Sequence, residues 1–74
     1  MAKNMFTQTV KERSTNDKIR WWIDCGDIDD DIEGYAPNAS EARKEADLWA
    51  SFCPFACVYI EDADSGEVLD HYWV

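Results

Sequence analysis

The sequence predicts a small α+β domain in which one helix packs on one face of an antiparallel sheet of four to five strands. Several segments alternate in polarity at every second residue, and a single segment has the three- and four-residue spacing of a helix. The strand-like segments follow one another with short turns between them, which favours antiparallel pairing. A chain of 74 residues can bury only one thin core, so we expect residues 1–74 to form a single domain.

Two strands are predicted before the acidic middle of the chain. Residues 5–10 alternate in character, and residues 18–25 alternate more clearly. In the second segment one predicted face carries Ile19, Trp21, Ile23 and Cys25, and the other carries Arg20, Trp22 and Asp24. Residues 26–31 are typical of a turn, and residues 32–36 predict a short third strand that pairs back on the second.

The helix is predicted over residues 39–52. Asn38 is followed three positions later by Glu41, the pattern of an N-cap with its capping box, and Pro54 prevents the helix from continuing. The positions expected to face the sheet are Ala39, Ala42, Ala46, Trp49 and Cys53.

Two further strands, at residues 55–61 and 67–74, are expected to form a hairpin around the turn at residues 63–66. One helix can cover only one face of the sheet, so the other face meets water or a partner. Four Trp, three Tyr and three Phe exceed what so thin a core easily holds. We therefore expect Trp22, Trp73 or Tyr35 to anchor a partner, with Trp22 partly exposed; for Trp22 the alternative is a small second core under the N-terminal segment.

The charge is distributed unevenly. Residues 1–20 carry five Lys/Arg against two Asp/Glu, whereas residues 21–74 carry two against fourteen, within a net charge of −9. The acidic part should repel nucleic acid and attract a basic protein surface. The alternative is an ordinary solubilising surface.

Neither a metal site nor a catalytic set is predicted. Asp27, Asp29 and Asp31 have the spacing that begins a calcium loop, but Ile32 stands where the loop needs glycine and Asn38 where it needs glutamate. Four potential zinc ligands, which lack the spacing of a zinc knuckle, are Cys25, Cys53, Cys57 and His71. The chain has one histidine and no glycine-rich elbow or phosphate loop, so we expect a protein that is not an enzyme and needs no cofactor.

A cytosolic location is expected, because the sequence has neither a signal-peptide pattern nor a stretch that could span a membrane. An odd number of cysteines without a secretory signal indicates reduced thiols in the core.

The acidic run at residues 27–33, the acidic helix around Glu41, Glu45 and Asp47, and the acidic turn at residues 61–67 resemble small phage-encoded inhibitors of bacterial defence. These are the anti-CRISPR and DNA-mimicking anti-restriction proteins. The resemblance is one of character over most of the chain and includes no diagnostic motif. The basic first twenty residues depart from a pure DNA mimic.

The resemblance implies a stoichiometric inhibitor that docks on a basic nucleic-acid-binding or subunit-docking site of a CRISPR-Cas or other defence complex. The partner is then a protein with a basic surface, and neither nucleic acid nor membrane is bound directly. The expected partner-binding residues are Trp22, Asp24, Asp27, Asp29, Asp30, Asp31, Glu33 and Tyr35. Two alternatives remain: an adaptor that forms homodimers through its uncovered sheet face, and a metal-binding domain.

Overall fold

The computed structural model describes residues 7–25, 31–53 and 55–74. Five strands and one helix follow in the order β1 (Thr7–Lys11), β2 (Ile19–Cys25), β3 (Asp31–Ala36), α1 (Ala39–Ala50), β4 (Ala56–Asp62) and β5 (Val68–Trp73). The α+β class and the order of elements predicted from the sequence are confirmed. The start of the first predicted strand, residues 5 and 6, lies outside the described residues.

The sheet is mixed, so the expectation of a purely antiparallel sheet is wrong at one pair. The strand order is β1-β3-β2-β4-β5, and the β2–β3, β2–β4 and β4–β5 pairs are antiparallel. β1 pairs with β3 in parallel. Consecutive strands β1 and β2 still run in opposite directions, but β3 and β4 occupy both edges of β2. β1 therefore lies on the outer edge of β3, where its direction makes the pairing parallel.

Helix α1 lies on one face of the sheet. Its first turn is capped by Asn38, whose Oδ1 accepts a hydrogen bond from the backbone N–H of Glu41 at 2.9 Å. Ala42, Ala46 and Ala50 are buried, and these small side chains allow the helix axis to approach the strands closely. The strand residues that form the core beneath the helix are Ile19, Trp21, Ile23, Ala36, Ala56, Val58 and Ile60.

Trp21 is the largest side chain in the core and is fully buried. Its ring lies over Gly34 on the neighbouring strand, where a Cβ would stand 2.5 Å from Cζ2 of the indole. The indole N–H donates to Oε1 of Glu45 on α1 at 3.0 Å, so the buried polar atom is satisfied. The absence of a side chain at Gly34 is what makes room for the indole.

The cysteines correct one expectation. Cys57 on β4 is a free, buried thiol, as predicted for a small core residue. Cys53, just beyond the helix, is disulfide-bonded. The prediction that all three thiols are reduced is therefore wrong, because the sequence rule relied on the number of cysteines and on the missing secretory signal.

Candidate functional site

The face of the sheet opposite α1 has no helix over it, and we call it the uncovered face. Alternation along β2 directs Arg20, Trp22 and Asp24 to this face, because Trp21 and Ile23 point into the core. The strand register places Glu33 beside Trp22 on one side and Tyr59 beside it on the other. Three neighbouring strands thus contribute aromatic and carboxylate side chains to one surface.

Three rings stack in a line across the uncovered face, and we call them the aromatic row: Trp22, Tyr59 and His71. The centroids of Trp22 and Tyr59 are 4.2 Å apart with an interplanar angle of 10°, and those of Tyr59 and His71 are 4.6 Å apart at 13°. The row is a consequence of register, since Trp22 pairs with Tyr59 and Tyr59 pairs with His71. It runs from the middle strand of the sheet to the edge strand β5.

Tyr59 is the middle ring of the row, and its pKa is raised. Its hydrogen bond with the thiol of Cys57 raises the pKa of Tyr59, and burial raises it further. Tyr59 and Trp22 are half-buried, whereas His71 at the end of the row is exposed. The row therefore offers a rigid aromatic surface whose last ring is open to solvent.

A charged cluster lies beside the row, formed by Arg20, Glu33 and Glu61. Arg20 Nε donates to Glu33 at 2.7 Å, and its Nη1 donates to Glu61 at 3.0 Å. The guanidinium also lies 5.8 Å from the ring of Trp22. Two carboxylates for one guanidinium leave this cluster with a net negative charge.

Neighbouring side chains complete the cluster and favour the charged forms of Glu33 and Arg20. Glu61 accepts a second hydrogen bond from the indole N–H of Trp22 at 2.8 Å, and Glu33 accepts one from the hydroxyl of Thr9 at 2.6 Å. Burial acts to raise the pKa of Glu33, but the hydrogen bonds from Thr9 and Arg20 and the charge of Arg20 outweigh it, and the pKa is lowered. Burial likewise opposes the charged form of Arg20, but the hydrogen bonds and charges of both glutamates raise its pKa.

The structure brings several of the predicted site residues together. Trp22, Asp24 and Glu33 lie on the uncovered face, and Asp31 begins the strand that carries Glu33. Tyr35 also belongs to this strand, and its ring lies 6.0 Å from the guanidinium carbon of Arg13. Asp27, Asp29 and Asp30 lie outside the described residues.

Trp22 meets one expectation and modifies another. It is partly exposed and Trp21 is fully buried, as the flanking Arg20 and Asp24 predicted. It is not an isolated indole projecting into solvent, because it stacks on Tyr59 and donates to Glu61. Its removal would therefore affect folding as well as any contact with a partner.

Sequence reasoning missed three residues of this surface, Tyr59, Glu61 and His71; it placed Arg20 on the face of Trp22 but not among the site residues. Alternation along β4 and β5 already separated Tyr59 from Val58 and Ile60, and His71 from Tyr72. What was missing was the register between strands, which sets Trp22, Tyr59 and His71 on one line.

Within residues 7–25, 31–53 and 55–74, no group of three or more His, Cys, Asp or Glu side chains is arranged to hold a metal ion. Among the same residues, no helix has the length and apolar character needed to cross a membrane.

Comparison with known proteins gives no relative from which a function could be transferred. No protein family model, no curated protein and no solved structure matches the chain. Any function must therefore be argued from the chain's own surface.

Proposed function

We propose that this chain is a non-enzymatic inhibitor protein that docks its uncovered face on a basic site of a bacterial defence complex in the host cytosol. The site on the partner would be one that binds nucleic acid or another subunit, as in a CRISPR-Cas or restriction complex. The observation that carries the proposal is the aromatic row lying beside Asp24, Glu33 and Glu61 on a face that α1 leaves open.

The aromatic row suits the centre of a protein interface. Binding hot spots are commonly large aromatic side chains, because these bury much area while few rotatable bonds are frozen. Stacking and the bond from Trp22 to Glu61 already hold the rings in place. Docking on them costs less side-chain entropy than docking on mobile side chains would.

The charge of the chain favours a basic partner. The net charge is −9, and Arg20, the cation of the charged cluster, is already engaged by two glutamates. A Lys/Arg groove built for phosphates would be attracted to such a surface and would lose that attraction as salt is added. We include the acidic run at residues 27–33, which follows β2 in the sequence, in the proposed site.

The proposal is tested first in cells. Phage plating is measured on bacteria that carry one defined CRISPR-Cas or restriction system at a time, with and without expression of the chain. Restored plating against at least one system is expected. Unchanged plating across systems of both kinds would rule out the defence-inhibitor proposal.

The docking surface is tested with two variants that change the charge equally. Asp24→Lys reverses an exposed charge on the uncovered face, and Glu12→Lys does the same in the loop after β1. With the purified target complex, Asp24→Lys should weaken inhibition of DNA binding at least tenfold, because a basic groove then meets a positive charge. Glu12→Lys should change it by less than about threefold. Equal losses in the two variants would mean that only net charge matters and that the uncovered face is not the docking surface.

A further inference from the structure

The two edges of the sheet differ in how they are protected against pairing with another strand. β1 forms one edge, and its exposed Lys11 is followed directly by Glu12 and Arg13. Charged side chains of this kind, lysine above all, discourage edge-to-edge pairing. In the described part of the chain, β1 is thus an edge strand that charged side chains protect against pairing with another strand.

β5 forms the other edge and carries no lysine, arginine or proline. Its large apolar side chains are exposed: Val68 by 51%, Leu69 by 49% and Trp73 by 73%, followed by Val74 at 58%. Among the described residues, β4 is the strand that pairs with β5, so the outer edge of β5 keeps backbone donors and acceptors for another strand.

The local charge of this edge identifies the kind of partner. β5 has a single carboxylate, Asp70, and Arg43 of α1 holds it with two hydrogen bonds at 2.8 and 3.1 Å. Along β5 itself a basic partner would therefore find no carboxylate that lacks a cation, and the exposed Glu67 lies just before the strand. Two copies of a chain with a net charge of −9, by contrast, can approach most easily along an edge whose carboxylate is already neutralised.

We propose that β5 pairs antiparallel with β5 of a second copy of this chain about a two-fold axis. Such an interface is isologous, since each copy offers the same strand edge to the other. The two five-stranded sheets would join into one sheet of ten strands, with both uncovered faces on the same side. This dimer does not depend on the function proposed above: its contact is the outer backbone edge of β5, although His71 and Trp73 of this strand lie on the uncovered face.

The apolar side chains near the end of β5 supply part of the buried area. The backbone N–H of Val74 donates to the carbonyl of Ala56 at 3.0 Å, so Phe55 and Trp73 lie at the same end of the β4–β5 pair. Phe55 is 64% exposed. Phe55 and Trp73 together expose on the order of 300 Å², which is less than half of what each partner contributes to a standard interface. We therefore expect a dimer that dissociates on dilution.

The proposal is tested by sedimentation equilibrium of the purified chain between about 10 µM and about 1 mM, where mass action shifts a weak dimer. The wild-type mass should rise from 8.6 kDa towards twice that value. Leu69→Lys places a charged side chain on β5, which discourages edge-to-edge pairing, and should keep the chain monomeric. Leu48→Lys is the matched control, because it makes the same change at an exposed leucine of α1 and should leave the dimer intact. The proposal would be overturned if the wild-type chain stayed monomeric, which is the result expected if β5 pairs only with a strand of another protein. It would also be overturned if the Leu69→Lys variant dimerised like the wild type.

Hydrogen exchange of the wild type provides a second test that does not need a variant to fold. Raising the protein concentration should slow exchange of amides in β5 at least tenfold and leave those of β1 unchanged. Protection in β1, or no change in β5, would overturn the edge-to-edge dimer.

Discussion

At the scale of single residues, two neighbouring tryptophans have opposite environments. Trp21 lies in the core beneath α1, and Trp22 lies on the uncovered face. The sequence predicted this division, because Ile19 and Ile23 share the side of Trp21 while Arg20 and Asp24 share that of Trp22. It could not predict the partners of Trp22, since Tyr59 and Glu61 come from a strand almost forty residues further along the chain.

The fit of Trp21 over Gly34 gives a prediction about stability. Gly34→Ala would place a methyl group 2.5 Å from the indole, so the ring or the strand must move, and unfolding in urea should show a loss of about 1–3 kcal/mol. In a Trp21→Phe background the smaller ring leaves space, and the same substitution should cost at least about 1 kcal/mol less.

The double-mutant cycle separates this contact from other effects of the two substitutions. Trp21→Phe also removes the hydrogen bond to Glu45, but that loss is present with and without the alanine and cancels in the cycle. An equal cost of Gly34→Ala in both backgrounds would show that the indole is not what requires glycine at this position.

At the scale of the elements, local patterns predicted the helix and the strands, but not which strands are neighbours. Asn38 and Glu41 marked the start of α1, and the alternation in β2 gave its two faces. The parallel pairing of β1 could not be predicted, because the polarity of Gln8, Thr9 and Val10 is the same whether their neighbour is β2 or β3. β3 lies between β1 and β2 because each strand can pair with several others, and the final order depends on all these possible pairings. The sequence of a single segment does not determine that order.

Glu33 links the three strands on this side of the sheet. It lies on β3, accepts a hydrogen bond from Thr9 of β1 and forms an ion pair with Arg20 of β2. Its pKa in the folded state is lowered from the ordinary value of 4.5, because the bonds from Thr9 and Arg20 outweigh the opposing effect of burial. The stabilisation from Glu33 is therefore fully present above the unfolded-state pKa and is lost as the pH falls through the folded-state pKa.

The prediction concerns the slope of stability against pH. Between about pH 5 and about pH 3, the free energy of unfolding should fall less steeply for Glu33→Gln than for the wild type, because one carboxylate with a lowered pKa has been removed. Glu12→Gln, at an exposed position in the loop after β1, is the control and should keep the wild-type slope. Urea titrations across this pH range measure the slope, and identical curves for the wild type and Glu33→Gln would contradict the assigned role.

At the scale of the whole molecule, the two proposed surfaces have different electrostatics. The uncovered face has an arginine paired to two glutamates, so it stays negative and suits a basic partner. The outer edge of β5 is apolar, and Arg43 neutralises its carboxylate. The net charge of −9 thus attracts the proposed partner but repels a second copy of the chain.

The opposite signs of these long-range interactions lead to the last prediction. Raising the salt concentration from about 0.05 M to about 0.5 M shortens the Debye length from more than about 10 Å to less than about 5 Å. Inhibition of the defence complex should weaken at least tenfold, because an attraction between opposite charges is screened. Dimerisation should strengthen over the same range, because the repulsion between two chains of charge −9 is screened while apolar burial at β5 is retained.

Titration of the inhibitor against its target and sedimentation of the chain alone, both in the same buffers, measure the two trends. If both associations weaken with salt, the β5 contact depends on charge attraction and the assignment of an apolar edge-to-edge dimer is wrong; if both strengthen, the partner does not recognise the acidic surface.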